Sequence, residues 1–388
     1  MAGKTWTLTD VDADIYQEQI VLGPEQVGGS ARGYSVVKRR LYGGRRDGVD
    51  VIEVNNGRLS FVIVPTRGMS LWRASCGDLQ LGWKSPVKGP VHPSFVPLWE
   101  GSGIGWLGGF DELMVRCGLE NNGGPVFAAN GALQHPLHGR IGNIPADKVE
   151  VTIDGDAGEI VVTGVVDEAR MFSQKLRLTA TIRTKIGTTE LTVSDEIENL
   201  SAEPGELELL YHTNFGVPLL GPGAKVSVPA RRVVPRESRA MANLPEWNVY
   251  GPETEGLGEA CFFFDLLADA SGRTRATLRS ADGTKGVSVK FNTKQLPYFT
   301  VWKQRQCVPD GYVTGLEPSI NFPNEKTFEK AKGRVAVLKS GEKRHFEVSI
   351  EAHPDAASLA AAEKEIAAIQ GETKLELVTT PVPEWIPD

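Results

Sequence analysis

Three short polar islands, far apart in the chain, carry side chains suited to proton transfer. They are Pro136-Leu137-His138-Gly139-Arg140, Leu210-Tyr211-His212-Thr213-Asn214-Phe215-Gly216 and Gly315-Leu316-Glu317-Pro318. The chain holds six histidines, and two of them sit in these islands. An imidazole and a carboxylate drawn from distant segments can serve as general acid and general base near neutral pH. Opening a cyclic hemiacetal needs such a pair: one group protonates the ring oxygen, the other takes the proton of the neighbouring hydroxyl.

Each residue has two readings. His212 is flanked by Leu207, Leu209 and Leu210 before it and Phe215, Val217 and Leu219 after it, so it is either catalytic or a structural histidine satisfied by a carbonyl. Asn214 adds hydrogen-bonding capacity beside it. Glu317, between Leu316 and Pro318, is either paired with an arginine or held at a raised pKa useful to a base. His135 and His138 form an H-x-x-H pair, but no carboxylate sits at motif spacing, so a metal shell would have to be completed by His212 or Glu317. His138-Gly139-Arg140 reads as a polar clamp for hydroxyl groups. Arg67, in Pro65-Thr66-Arg67-Gly68-Met69, follows a strand at a turn and is a ligand contact or a surface arginine. Gly101-Ser102-Gly103-Ile104-Gly105 lacks the strand-to-helix context of a dinucleotide fingerprint, and no P-loop or nucleophile elbow is present. Asp111-Glu112 is not assignable as a glycosidase dyad from sequence.

Composition narrows the class. The 388 residues are 40% apolar and 23% charged, ordinary for a soluble chain with a large core. Forty-two basic against 49 acidic residues give a net charge of −7 with no basic stripe, which argues against nucleic acid as a partner. The four cysteines form no CxxC pair and read as reduced thiols. The start, Met1-Ala2-Gly3-Lys4, lacks an apolar signal core and no stretch approaches membrane-spanning length, so a cytoplasmic location away from membranes is expected.

The elements that must position the islands are strands. Alternation recurs at 49–54, 59–64, 149–153, 159–166, 175–182, 190–197, 286–291, 333–338 and 344–350, with an Asn55-Asn56-Gly57 turn joining the first two. Strands with short turns and few helices predict an all-β chain built as a large antiparallel sandwich. A helix is expected over 355–369, and a short one over Phe110–Arg116 closed by Cys117-Gly118. No linker divides the chain, so residues 1–388 are expected as a single domain. Within it, 1–45 form an N-terminal extension and 354–388 a helix and an extended arm that docks on its own body or on a neighbour. Residues 82–145 are irregular and rich in Gly, Pro and Trp, the composition of a functional loop whose exposed rings could stack on a sugar.

In this order, the islands resemble the motifs of the aldose 1-epimerase (galactose mutarotase-like) superfamily. His138-Gly139-Arg140-Ile141-Gly142-Asn143, His212-Thr213-Asn214-Phe215, Val301-Trp302-Lys303 and Glu317-Pro318 with Pro323-Asn324 carry the likeness over about residues 45–352. Within the superfamily the chain is similar to the divergent DUF4432 branch. The resemblance implies a β-supersandwich with few short helices and a C-terminal helix, and a cofactor-independent isomerase acting on a small carbohydrate. It implies His212 as the acid at the ring oxygen, Glu317 as the base at the C1 hydroxyl and His138 as the orienting group. Arg67, Arg140, Asn143, Asn214, Trp302 and Lys303 are the implied substrate contacts. Arg67 and the Gly-Trp block depart from ordinary mutarotases, which leaves an unusual sugar, a uronate or a ketose as substrate. A lyase or keto–aldose isomerase, with a metal on His135, His138 and His212, and a non-catalytic carbohydrate-binding protein are the alternatives. A homo-oligomer is compatible with either.

Overall fold

A computed structural model describes residues 3–387; Met1 and Ala2, in the expected N-terminal extension, and Asp388, in the expected arm, lie outside the described residues. The alternating segments form two large sheets, one of ten strands and one of fourteen among the described residues. Strands Lys148–Asp154, Glu159–Ala169, Lys175–Lys185 and Glu190–Asn199 run as an antiparallel meander in the smaller sheet. Their burial alternates residue by residue, as a sheet with one face on a core requires. The larger sheet carries the second and third islands, and the first touches it through a bridge between Gly139 and Gly118. Its middle runs, in spatial order, Ala230–Pro235, Ala260–Leu266, Tyr298–Gln304, Val313–Ser319, Gly205–Gly216 and Met114–Leu119.

The core lies between the sheets, where odd-numbered residues of Gly205–Gly216 such as Leu207, Leu209, Tyr211 and Phe215 are fully buried. A charged bridge crosses this core. Arg116 Nε and Nη2 donate to the two carboxylate oxygens of Asp195 at 2.5 and 2.8 Å, and Tyr211 Oη donates to Asp195 Oδ2 at 2.8 Å. Arg116 and Tyr211 belong to the larger sheet and Asp195 to the smaller. Burial opposes the charge on Arg116, but the Asp195 carboxylate outweighs it and keeps the guanidinium pKa raised.

The Asn-Gly hairpin forms as expected, with Asn55 opposite Ser60 and Gly57 at φ 91°, a conformation that favours glycine. The C-terminal helix spans Ala356–Gln370, capped by Asp355, whose carboxylate accepts from Ser358 N at 2.8 Å. It buries Leu359, Ala362 and Ile366.

Three expectations need correction. Phe110–Arg116 is not helical: a 3₁₀ turn at Gly105–Gly109 leads into the strand Met114–Leu119, every residue of which is buried. A strand buried on both faces has no period-2 signal, and over so few residues it cannot be told from a helix by pattern. The first 45 residues are woven in rather than appended. Lys4–Asp10 pairs with Lys148–Asp154 in one sheet, while Ser35–Arg40 pairs with Asp50–Asn55 in the other. The strand expected at 333–338 is confined to Ala336–Leu338. No helix is long and apolar enough to cross a membrane among the described residues.

Candidate active site

Strand register builds the site. Leu210 pairs with Ser319 and Thr213 with Leu316, so the intervening register sets His212 across from Glu317. Because side chains alternate faces, Tyr211 points into the core while His212 and Asn214 point to the opposite face of the sheet. The irregular Gly-Trp block covers that face. His212 Nε2 lies 3.2 Å from Glu317 Oε1, and both residues are almost wholly buried, 4% and 2% exposed. Glu317 lies back over Gly315, where a Cβ would stand 2.1 Å from Oε1. Only glycine leaves room for this rotamer.

The tautomer of His212 follows from its partner. Asn214 Nδ2 donates to the carbonyls of Glu112 and His212 at 3.0 and 3.1 Å, which fixes Oδ1 as the acceptor facing His212 Nδ1 at 2.6 Å. Nδ1 therefore carries the hydrogen, and Nε2 of the neutral ring turns a lone pair towards Glu317. The 3.2 Å contact becomes a hydrogen bond only when the carboxyl is protonated. Glu317 Oε1 has no other hydrogen-bond partner among the described residues. The electrostatics agree. Burial, with the Glu259 charge adding to it, pushes the Glu317 pKa well above the carboxylate range, against a smaller pull from Arg236. Burial and the neighbouring His138 push His212 down to about 3. Both shifts favour the uncharged forms, a protonated carboxyl beside a neutral imidazole.

Aromatic rings form the walls. Ring centroids of Phe110, Trp302 and His138 lie 5.1, 5.3 and 5.5 Å from that of His212, and Trp106 lies 4.7 Å from His138. The expected exposed stacking platform is instead mostly an inward box, with Trp106 1% and Phe110 6% exposed, although Trp99 is open to solvent. Trp302 is half-buried, and its indole N–H donates to Glu259 Oε2 at 2.8 Å. His138 sits at φ 58°, a costly conformation for a non-glycine residue that turns its ring towards His212. Its Nδ1–H donates to the Asn122 carbonyl at 2.7 Å, leaving Nε2 as a free acceptor, and burial pushes its pKa down to about 4.

The other expected contacts divide. Asn214 and Trp302 join the pair. Arg67 does not present itself to a ligand: it is fully buried and spends its N–H groups on Glu112, Asn143 and the carbonyls of Val91 and Gly109. Asn143 accepts from Arg67 at 2.6 Å and belongs to the same cross-link. Lys303 lies on the opposite face from Trp302 and gives its ammonium to the carbonyls of Glu246, Trp247 and Val249 at 3.1, 3.0 and 2.8 Å. Burial lowers its pKa to about 7. Arg140 turns to Glu120 and Glu168 at 3.4 and 3.7 Å. His135 faces Glu120, and no three His, Cys, Asp or Glu residues are grouped to hold a metal among the described residues, so the proposed triad of His135, His138 and His212 is not assembled. Asp111 and Glu112 are not a free dyad either, being bound to Trp72 and Arg67.

Phe110, Asn122 and Glu259 went unmarked in the sequence. The first two lie in the block whose composition was distinctive but whose contacts have no periodicity to read. Glu259 is invisible without the strand pairing that brings it beside Trp302.

The family model described as a domain of unknown function, DUF4432, matches residues 46–352. The chain belongs to the DUF4432 family. A protein of Klebsiella pneumoniae subsp. pneumoniae MGH 78578, provisionally assigned as an aldose 1-epimerase, is 35% identical, with 98% of this chain and 99% of that one covered at a TM-score of 0.94. A galactose mutarotase-like protein of Clostridium acetobutylicum is 18% identical over 78% of this chain and 95% of its own, at 0.54. The galactose 1-epimerase of Lactobacillus acidophilus NCFM is 12% identical over 81% and 97%, at 0.52. The last two show that this DUF4432 protein has the galactose mutarotase-like fold. No curated protein matches the chain.

Proposed function

We propose that this DUF4432 protein is a sugar 1-epimerase that interconverts anomers through the open-chain aldehyde, with His212 and Glu317 moving the protons. The observation that carries this reading is a buried imidazole and carboxyl 3.2 Å apart. The similarity to a provisionally assigned aldose 1-epimerase supports it.

At rest the proton is on Glu317. Sugar hydroxyls entering between the two groups supply polar partners that burial had removed, which favours the charged form of the pair. The proton then passes to Nε2, giving an imidazolium beside a carboxylate. Glu317 takes the C1 hydroxyl proton, His212 protonates the ring oxygen, and the C1–O5 bond breaks to leave a neutral aldehyde. Rotation about C1–C2 presents the other carbonyl face, and the reverse transfers close the ring. Protons balance and no electrons are exchanged. His138, with a free Nε2 acceptor, orients a substrate hydroxyl in this scheme.

Anomer-resolved NMR on a panel of free sugars tests the proposal. Glu317→Gln and His212→Gln should each lower the mutarotation rate by roughly 10²–10⁴-fold, the usual worth of a positioned acid or base. An unaltered rate in Glu317→Gln sinks the assignment.

A further inference from the structure

The strand register runs a single line of cross-strand neighbours over the site face. Pro235 pairs with Phe262, and Arg236 N donates to the Cys261 carbonyl at 2.9 Å, which continues that ladder by one residue. Cys261 pairs with Trp302, Trp302 with Gly315, and Gly315 with Asn214. Directly paired residues share a face, so Arg236 stands on the same side of the sheet as Trp302, Glu317 and His212. At about 4.8 Å per strand, it lies roughly 10 Å from Trp302, measured along the sheet.

Arg236 differs from the chain's other candidate cations. Arg67 and Lys303 are consumed by protein partners, and Arg140 turns to Glu120 and Glu168. Arg236 is partly exposed and makes no ion pair with a carboxylate among the described residues. Against the pull of burial, Cys261, Glu237 and Glu259 lie close enough to raise the Arg236 pKa, yet neither carboxylate forms an ion pair with it among the described residues. Glu237 accepts from Cys261 N at 3.0 Å, and Glu259 accepts from the Trp302 indole. The Arg236 charge is felt at both Glu317 and His138, which places it within electrostatic reach of the reacting groups. Its side chain is a planar, permanently charged fork that matches carboxylate and phosphate oxygens.

We infer that Arg236 is a specificity residue that binds an anionic group on the sugar, so that the substrate is an acidic sugar rather than a neutral one. This rests on the site proposed above. A pyranose against Trp302, with C1 at Glu317 and His212, directs its far substituent along the line towards Arg236. The carboxylate of a uronate and the phosphate of a sugar phosphate share the required chemistry.

The test compares kcat/KM for mutarotation of glucuronate, galacturonate, glucose 6-phosphate and galactose 6-phosphate with glucose and galactose. The expected result is a preference for one acidic class, with the acidic-to-neutral ratio falling roughly 30- to 100-fold in Arg236→Gln, as loss of a charge-assisted pair entails. The uronate and phosphate arms tell the two anions apart. Arg236→Lys should keep an intermediate ratio, and Arg231→Gln, on the same strand but ion-paired to Asp265, should leave it unchanged. A neutral preference, or a ratio unmoved in Arg236→Gln, overturns the inference while leaving the ring-opening reading standing. If Arg236→Gln does not fold, an unmoved ratio in Arg236→Lys overturns it instead. If no sugar mutarotates, calorimetric binding decides. Acidic sugars that bind the natural chain but not Arg236→Gln uphold the inference and end the ring-opening reading; no difference ends both.

Discussion

At the residue scale, the pair His212–Glu317 sets the pH behaviour. The ordinary histidine value of 6.5 falls to about 3 at His212, while Glu317 moves upward from 4.5. Burial therefore widens the range of the single-proton state on both sides, downward at His212 and upward at Glu317. Mutarotation should show no inflection near 6.5, where an ordinary histidine titrates; a rate profile from pH 4 to 9 checks this. Stability carries a matching signature. His212 and His138 have depressed values in the folded chain, so each contributes stability that is complete above about 6.5 and is lost as pH falls towards about 3 and 4. Urea midpoints should drop over that interval, and His212→Asn should flatten the slope. Beside the pair, Gly315→Ala places a methyl 2.1 Å from Glu317 Oε1, far inside van der Waals contact. The carboxyl must swing away, and activity should fall by roughly 10²-fold or more while the fold persists.

At the element scale, alternation along Gly205–Gly216 sends Tyr211 to the core and His212 to the site, one residue apart. The strand thus joins stability to chemistry. Arg116→Met leaves Asp195 as an unpaired buried carboxylate and should cost about 3–5 kcal/mol in chemical denaturation. Tyr211→Phe removes one hydrogen bond to the same carboxylate and should cost about 1–2 kcal/mol. The period-2 strands and the capped helix at Asp355 were legible because each is a local pattern. The strand Met114–Leu119 was not, since its residues are buried on both faces. The islands at His212 and Glu317 stood out by composition, and their opposition depends on a register that no local pattern encodes. The reach of Arg67 and Lys303 was hidden for the same reason: a basic side chain looks free until its carbonyl partners are placed around it.

At the scale of the whole molecule, the C-terminal arm lies on the same chain. Val382, Trp385 and Ile386 pack on Val234, Phe263 and Phe322, with Phe322 and Trp385 ring centroids 5.1 Å apart and the Arg232 guanidinium 4.9 Å from the Trp385 ring. Asn324 Nδ2 holds the Trp385 carbonyl at 2.9 Å. Trp385→Ala should lower stability by about 1–3 kcal/mol, read from urea midpoints. Arg67 acts across a comparable span. It ties the turn before Gly68 to Val91, Gly109, Glu112 and Asn143, so the cover over the catalytic face has no free hinge at these points. Amide hydrogens of this cover should then exchange with deuterium only as slowly as those of the central strands, because releasing one tie exposes donors and acceptors that have no other partner. Under the proposed function, a sugar would reach the pair past the half-buried Trp302 and His138, beneath a roof that Arg67 holds in place.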